Sequence, residues 1–580
     1  MISDSDNSAS IIGMLSRLLD SYGVKRVVAS PGSRCFPLLT AFVRNKNLKV
    51  TTVVDERSAG FIALGIAATS QLPVAILCTS GSALLNYGPA LSEAYYRNIP
   101  IIAITADRPA EWIDQNDGQT LRQKCALDCC VDGCFDIKAD PVDANALWAA
   151  NIAINKALTQ SIVVSRRPVQ INVQLSEPLK ECDENSLDVG YRKIIRQPIR
   201  KTPADIETLA SQIALAKRVM IFAGQSQPCQ KLNRALSRVN KFGNIALICQ
   251  NTSNLHIDNS INRIDAILSE SGDADAKLMP QLLITFGGPM TSRALKTKLR
   301  EAHRLDHWDI RPGGETFDTY KHLSTTIELD PQEFFWELGK QLDKINRQTP
   351  ISGDYKSQWF DLDAKASAST REFLDRAPFS DIMAINKVLA KLPDDCNVEC
   401  SNGMAIRYCD LYDCRRFHKF TANRGVNGID GSTSTAVGAS TAYAGTTVLI
   451  SGDMSALYDI SAFTSGLIRH RFKMAVIDNN GGDIFRIIKP TRHLPEREEH
   501  VSHALRFPGR QAAEIAGMAY FHADSAERLD KAIDEFVDLK DQPALLVIST
   551  PADANAAVYL DYLHRSIKPH KQSPQNQSNI

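Results

Sequence analysis

The chain has 580 residues, too many for one hydrophobic core, so two or three domains are expected. It is 44% hydrophobic and 23% charged, the composition of a soluble globular protein. Its 66 basic and 66 acidic residues cancel, which argues against nucleic acid or an anionic membrane surface as a partner.

The polar, acidic start MISDSDNSAS is unlike a signal peptide, and no apolar run reaches membrane-spanning length. No membrane partner and a cytoplasmic address are therefore expected. The 13 cysteines are odd in number and scattered, which is no disulfide framework. Two clusters, Cys125/Cys129/Cys130/Cys134 and Cys396/Cys400/Cys409/Cys414, lack the CxxC spacing of the commoner zinc knuckles. Reduced thiols are the favoured reading.

In chain order, Ile11, Ile12, Leu15, Leu18 and Leu19 carry a helical pattern. A short strand, Arg26–Ala29, runs into Ser30-Pro31-Gly32-Ser33-Arg34. Strand Val50–Val54 leads to Asp55-Glu56-Arg57-Ser58 and a small-residue helix with Ala63, Gly65, Ala67 and Ala68. Strand Val74–Cys78 ends at Thr79-Ser80-Gly81-Ser82, and strand Ile101–Thr105 at Ala106-Asp107-Arg108-Pro109. A further strand follows at Arg167–Val173. Strands each followed by a polar turn and a helix predict a parallel, doubly wound sheet over residues 1–190. Residues 180–204, charged and containing Pro198 and Pro203, read as a linker.

A second α/β series occupies 205–345, with strands Val219–Ala223, Ala246–Cys249 and Leu282–Phe286. The last ends in Gly287-Gly288-Pro289-Met290-Thr291-Ser292-Arg293. Residues 345–378 read as another linker with a helix. A third domain spans 380–565, and the polar tail 566–580 is expected to be disordered.

The most informative stretch is Thr446–Phe485. An apolar strand, Thr447–Ile450, ends at Ser451-Gly452-Asp453. Apolar residues at helical spacing follow (Leu457, Ile460, Phe463, Leu467, Ile468). A second strand, Met474–Ile477, ends at Asp478-Asn479-Asn480-Gly481-Gly482. Ligands of parallel α/β sheets collect at such strand ends. Asp453 offers a carboxylate, Asn480 an amide oxygen, and the glycines a free backbone carbonyl, a donor set suited to Mg²⁺ with a diphosphate. The helix start after Asp453 would add N–H groups for a phosphate. The competing reading is a strand pair with capped loops. Gly-Asp with an Asn 27 residues later, inside Asn-Asn-Gly-Gly, looks like the thiamine diphosphate (ThDP) fingerprint.

ThDP reacts through a carbanion at C2 of its thiazolium ring. A carboxyl group must hydrogen-bond N1′ of its aminopyrimidine to make the ring's own amine basic. Glu56, at a strand end before a small-residue helix, fits that demand. A surface Glu paired with Arg57 is the bland alternative.

Ser30–Arg34, Asp55–Ala59, Thr79–Ala83, Thr105–Pro109 and Ala422-Asn423-Arg424-Gly425-Val426-Asn427-Gly428-Ile429-Asp430-Gly431 together resemble the MenD family. These are ThDP-dependent synthases of menaquinone biosynthesis. The resemblance runs from about residue 10 to about 555 and is thin between 190 and 380. It implies α/β architecture in three doubly wound parallel-sheet domains, pyrimidine-binding, central and diphosphate-binding. It implies decarboxylation of 2-oxoglutarate and 1,4-addition of the resulting succinyl-semialdehyde carbanion to isochorismate. The product would be 2-succinyl-5-enolpyruvyl-6-hydroxy-3-cyclohexene-1-carboxylate (SEPHCHC).

Both substrates are polyanions and call for fixed cations. Ser33, Arg34, Arg108, Gln119, Arg293, Arg407 and Arg424 are the implied substrate ligands, with Glu56, Gln119, Arg407 and Arg424 catalytic. Arg108 could equally pair with Asp107 or Glu111. Met404, Ala405, Ile429, Gly452, Met454 and Ser455 would line the cofactor, Ile429 forcing its bent conformer. Asp453, Asn480 and Gly482 would hold Mg²⁺ or Mn²⁺. Four departures stand out: Gly403 where Ser is common, Gly118, Asp478 for the first of three asparagines, and Arg486 for Ser. The cofactor of such enzymes lies between two chains, so a homodimer is the minimum unit and a tetramer is implied. The rivals are another ThDP carboligase, of the acetolactate synthase or benzoylformate decarboxylase kind, and a non-catalytic relative.

Overall fold

A computed structural model of the chain describes residues 7–140, 143–182, 187, 190–197, 205–271, 275–313 and 315–565. Parts of the expected 180–204 linker and the whole tail 566–580 lie outside the described residues. Among the described residues no helix is long and apolar enough to cross a membrane.

Three sheets, all parallel, carry the molecule. The first holds β1 (Arg26–Ala29), β2 (Lys49–Thr52), β3 (Val74–Cys78), β4 (Ile101–Asp107), β5 (Cys134–Lys138) and β6 (Val169–Gln174). Their order is β2-β1-β3-β4-β6-β5. The central sheet comprises β7 (Val219–Ala223), β8 (Ile245–Cys249), β9 (Leu282–Phe286), β10 (Asp306–Ile310) and β11 (Leu323–Ile327), ordered β11-β10-β9-β7-β8. The third contains β12 (Asn397–Cys400), β13 (Lys419–Ala422), β14 (Thr447–Gly452), β15 (Phe472–Asp478), β16 (Ala519–Ala523) and β17 (Ala544–Ser549). Its order, β13-β12-β14-β15-β17-β16, repeats that of the first strand for strand.

Continuous apolar runs made β3, β4, β7, β9, β14 and β15 legible, because parallel sheets are covered on both faces. Every residue of β3 and β4 is buried. Alternate residues serve opposite layers: Ala75, Leu77, Ile102 and Ile104 face one core, and Val74, Ile76, Ile101 and Ala103 the other. Strands with polar or charged residues, β5 at one edge and β10 inside the central sheet among them, escaped the sequence reading. In β5 only Ile137 is fully buried, and β10 buries His307 and Asp309 in the sequence DHWDI. Thr285 Oγ1 meets both, His307 Nε2 at 2.9 Å and Asp309 Oδ1 at 2.5 Å. Residues 345–378 form more helix than expected, in Pro331–Gln348 and the 22-residue Tyr355–Arg376. The expected helix through Ile468 is instead a short helix, Asp453–Tyr458, then a 3₁₀ turn, Ile460–Thr464, with Gly466 left-handed.

The small-residue helix Glu56–Ser70 lies against helix Ser432–Ala442 of the third sheet's layer. Glycines allow the approach: a Cβ on Gly65 would sit 1.9 Å from the Thr435 carbonyl oxygen, and one on Gly438 2.1 Å from that of Ile62. Both obstacles are backbone and cannot rotate away. Gly65→Ala is therefore expected to destabilise the chain by about 1–3 kcal/mol, the usual cost of overpacking. A denaturant midpoint at or above wild type would show that the helices can part freely.

Candidate cofactor and substrate site

The order of the third sheet reverses between β12 and β14, the switch point at which ligands of open α/β sheets bind. A cavity lies there, lined by residues following β12 (Asn402, Met404, Ala405), β14 (Gly452, Asp453, Met454, Ser455) and β15 (Asn479, Gly481, Gly482). Ile429 closes one wall, its carbonyl accepting the Ser455 hydroxyl at 2.6 Å.

Asp453 is 3% exposed. Its carboxylate accepts the N–H of Met454 at 2.7 Å and of Gly481 at 2.9 Å. Burial nevertheless pushes its pKa up to about 7, with Asp478 adding to the rise. The N–H of Met454, at the helix start expected to serve a phosphate, is thus turned back onto Asp453. Asp381 and Asp483 face the same space. Burial raises Asp381 to about 7, helped by the charges of Asp483 and Asp453, and raises Asp483 to about 6. Asp483 also has the Arg486 guanidinium at 3.5 Å.

With Asn402, Asn479 is one of two amides on the cavity wall. Its Nδ2 donates to Asp381 Oδ2 at 2.7 Å, which leaves its Oδ1 buried and without a partner among the described residues. An orphaned oxygen beside Asp453 is a vacant coordination direction, so the residues present fit a hard divalent ion. Asn480, the amide expected there, is exposed, has φ 62° and lies outside the cavity lining. The reason is strand geometry. Ile477 and Asn479 share one face of the β15 end, and the chain then turns through the left-handed region at Asn480. The carbonyl of Gly482 accepts the Phe485 N–H at 3.1 Å, turned into the following helix.

A second cavity shares Met404 and Ile484 with the first and contains Arg293, Arg407, Lys298, Asp265 and Tyr559. Arg424 lies behind Asn402, its Nη1 donating to Asn402 Oδ1 at 2.8 Å. The Nε atoms of Arg407 and Arg424 are buried without hydrogen-bond partners among the described residues. Neither these two nor Arg293 has a carboxylate within ion-pairing distance among the described residues.

The remaining expected residues gather at the carboxyl ends of the first sheet and line neither cavity. Arg34 is 4% exposed, paired with Glu177 at 2.8 Å and donating to the Leu175 carbonyl at 3.0 Å. Arg108 pairs with Asp117 at 3.2 Å, and neither Asp107 nor Glu111 takes its guanidinium. Ser33 and Gln119 are exposed, Gln119 with φ 54°. Glu56 opens its helix half-buried, with Asn86 Nδ2 at 3.4 Å from Oε2. Burial raises its pKa, and Asp55 contributes. Arg57 does not neutralise it. That guanidinium reaches instead to the Tyr458 carbonyl at 2.9 Å.

The sequence at both clusters matches known families. Residues 12–126 match the thiamine pyrophosphate enzyme N-terminal TPP binding domain, and 398–548 the corresponding C-terminal TPP binding domain. A 2-succinyl-5-enolpyruvyl-6-hydroxy-3-cyclohexene-1-carboxylate synthase of Porphyromonas gingivalis is 37% identical over 555 residues, covering 95% of this chain and 96% of the relative. This chain belongs to the SEPHCHC synthase family. Synthases of Flavobacterium johnsoniae (33% identical, 93% of this chain and 96% of the relative) and Bacteroides fragilis (31%, 97% and 100%) agree along almost the whole length. The matched TPP binding domains thus cover the first four strands of the first sheet and nearly all of the third, where the expected site residues lie.

Asp381, Asp483 and Asn479 line the cavity and were not singled out by sequence reasoning. Asn479 could have been found from the two-residue period of the strand end. Asp381 is 72 residues from Asp453 in the chain and carries no motif.

Proposed function

We propose that this chain is a ThDP-dependent synthase that decarboxylates 2-oxoglutarate and joins the remaining four-carbon unit to isochorismate, giving SEPHCHC. The observation that carries the reading is the set of three arginines, Arg293, Arg407 and Arg424, none within ion-pairing distance of a carboxylate among the described residues, beside the Asp453 cavity in an otherwise neutral protein. Bidentate guanidinium groups suit the carboxylates that both substrates bear.

Asp453, Asn479 Oδ1 and a backbone carbonyl of the Gly481-Gly482 pair would hold Mg²⁺ or Mn²⁺. Met404, Ile429, Gly452, Met454 and Ser455 would shape the space for ThDP. ThDP, when bound, supplies the carbon nucleophile needed for both halves of the reaction. Glu56, its carboxyl raised by burial, is suited to share a proton with a ring nitrogen. Arg407, Arg424 and Arg293 hold substrate carboxylates, and Ser33, Arg34, Arg108 and Gln119 complete the site from the first sheet.

That completion requires a second chain. Glu56 lines neither cavity, and both clusters carry exposed apolar residues: Val54 and Leu85 near Glu56, Val426, Ile429 and Tyr458 near the other. We assign residues 1–190 as pyrimidine-binding, 205–345 as central and 380–565 as diphosphate-binding, with the first domain of one chain closing on the third of another. A homodimer is the minimum, within a tetramer. The 13 cysteines are all free, which suits a reducing cytoplasm.

The deciding assay supplies isochorismate and 2-oxoglutarate with Mg²⁺, with and without ThDP. SEPHCHC formed only with ThDP supports the reading. Turnover of pyruvate or benzoylformate in place of 2-oxoglutarate would favour another ThDP carboligase. Arg407→Ala and Arg424→Ala are each expected to lower kcat/KM by a factor equivalent to about 2–5 kcal/mol, with ThDP affinity near wild type. Unchanged kcat/KM for both substrates in both variants would make these arginines structural.

A further inference from the structure

Arg424 stands on a loop whose backbone is gripped from a different sheet. Glu93, on helix Gly88–Tyr96 of the first sheet's layer, is 1% exposed. One of its carboxylate oxygens accepts the N–H of Gly425 at 2.8 Å, and the other that of Val426 at 2.8 Å. Arg97, one turn on, lies 3.7 Å from the same carboxylate. It also donates to Asn423 Oδ1 at 2.9 Å and to Thr421 Oγ1 at 3.3 Å.

The fit is close from the loop's side too. A Cβ on Gly425 would meet the Glu93 carbonyl oxygen at 2.7 Å and Oε2 at 3.0 Å. From within the third sheet, Asn402 Nδ2 donates to the carbonyls of Asn423 at 2.5 Å and Gly428 at 2.7 Å. Asn402 Oδ1 accepts from the Arg424 guanidinium. The side chain of Arg424 is therefore set by Asn402, and its backbone by Glu93.

A buried carboxylate is costly, and merely joining two layers does not require one. Receiving two consecutive N–H groups does, because a Gln amide has one acceptor oxygen and turns its NH₂ against the other N–H. We propose that Glu93 is a positioning residue for the reaction, acting through the Gly425 and Val426 backbone to hold the Arg424 guanidinium at the substrate-carboxylate position. This rests on Arg424 binding a substrate carboxylate, as argued above. The helix bearing Glu93 follows directly on Asn86, the hydrogen-bond partner of Glu56. The aim of Arg424 in the third sheet is thus tied to the segment that supports Glu56 in the first.

The test is a double-mutant cycle on the ThDP- and Mg²⁺-loaded enzyme, with kcat, KM for each substrate and ThDP affinity read separately. Glu93→Gln is expected to lower kcat/KM by about ten- to hundredfold, the effect of a small misplacement of a catalytic group. ThDP affinity should stay within about twofold of wild type, because the clamp touches no cofactor residue. In an Arg424→Ala background the same change should add nothing, since its effect runs through that guanidinium. Gly425→Ala, which forces the contact open from the other side, should reproduce this pattern and serves if Glu93→Gln does not fold. Unchanged kcat/KM in Glu93→Gln, an equal further loss in the Arg424→Ala background, or ThDP affinity falling in parallel with activity would each overturn the proposal. Wild-type kinetics in Arg424→Ala alone would instead overturn the substrate role of Arg424, and the positioning role with it.

Discussion

Asp453→Ala is expected to weaken Mg²⁺-dependent ThDP binding by at least about a hundredfold while the chain still folds. Removing a residue that merely supports a metal ligand costs about 10–100-fold, so losing the charged ligand itself should reach or exceed the upper end. Folding should survive, because a carboxyl whose pKa is pushed up to about 7 by burial is an unfavourable charge in the cation-free protein. Asn479→Ala should also weaken binding tenfold or more, whereas Asn480→Ala should stay within a few-fold of wild type. A raised carboxyl must lose its proton to accept the ion, so affinity should fall as pH drops from 8 to 6, and loading should release protons. Calorimetry in two buffers of different ionisation heat reads both. Equal losses at Asn479 and Asn480, or normal affinity in Asp453→Ala, would place the metal elsewhere.

Glu56→Gln is expected to keep ThDP bound but slow exchange of its C2 proton by about 10²–10⁴-fold, the usual range for a positioned acid–base group. Gln preserves shape, so the packing of helix Glu56–Ser70 against Ser432–Ala442 should persist. What it loses is a shareable proton, which burial makes available at Glu56 by raising its carboxyl above the ordinary range. Decarboxylation and carbon–carbon bond formation should fall together. Hydrogen–deuterium exchange at C2 in the holo-protein reads the step directly. Wild-type exchange would remove Glu56 from cofactor activation, and a defect confined to the isochorismate step would move it to the acceptor.

Val74–Cys78 and Thr447–Ile450 were legible because burial on both faces writes them as uninterrupted apolar runs, whereas β12 and β13, which lead to Asn402, Met404 and Arg424, bury Asn397, Glu399 and Lys419 and were not read as strands. Polar residues at strand ends then marked where ligands gather, which brought Met404, Ile429, Gly452, Asp453, Met454, Ser455 and Gly482 onto one cavity. The count of residues from Asp453 pointed to Asn480, which is exposed at the turn after β15, while the two-residue period of β15 puts Asn479 on the cavity wall. Asp381 and Asp483 were hidden because their closeness to Asp453 arises only from the fold. The counter-ions of Arg34 and Arg108 were hidden for the same reason: Glu177 and Asp117 are ordinary surface acids in the sequence.

The first and third sheets share one strand order, yet each keeps a different half of the chemistry, Glu56 in one and Asp453 in the other. In the proposed homodimer, two chains exchanging these halves about a twofold axis would build two equal sites, each drawing Glu56 from one chain and Asp453 from its mate. Lesions in the two halves should then complement across subunits. Glu56→Gln and Asp453→Ala chains, each inactive alone, should regain activity when unfolded and reassembled together. Half of random pairs are mixed, and each mixed pair holds one site with both residues intact, so recovery should approach about a quarter of wild type. No recovery would mean that each chain builds its site alone.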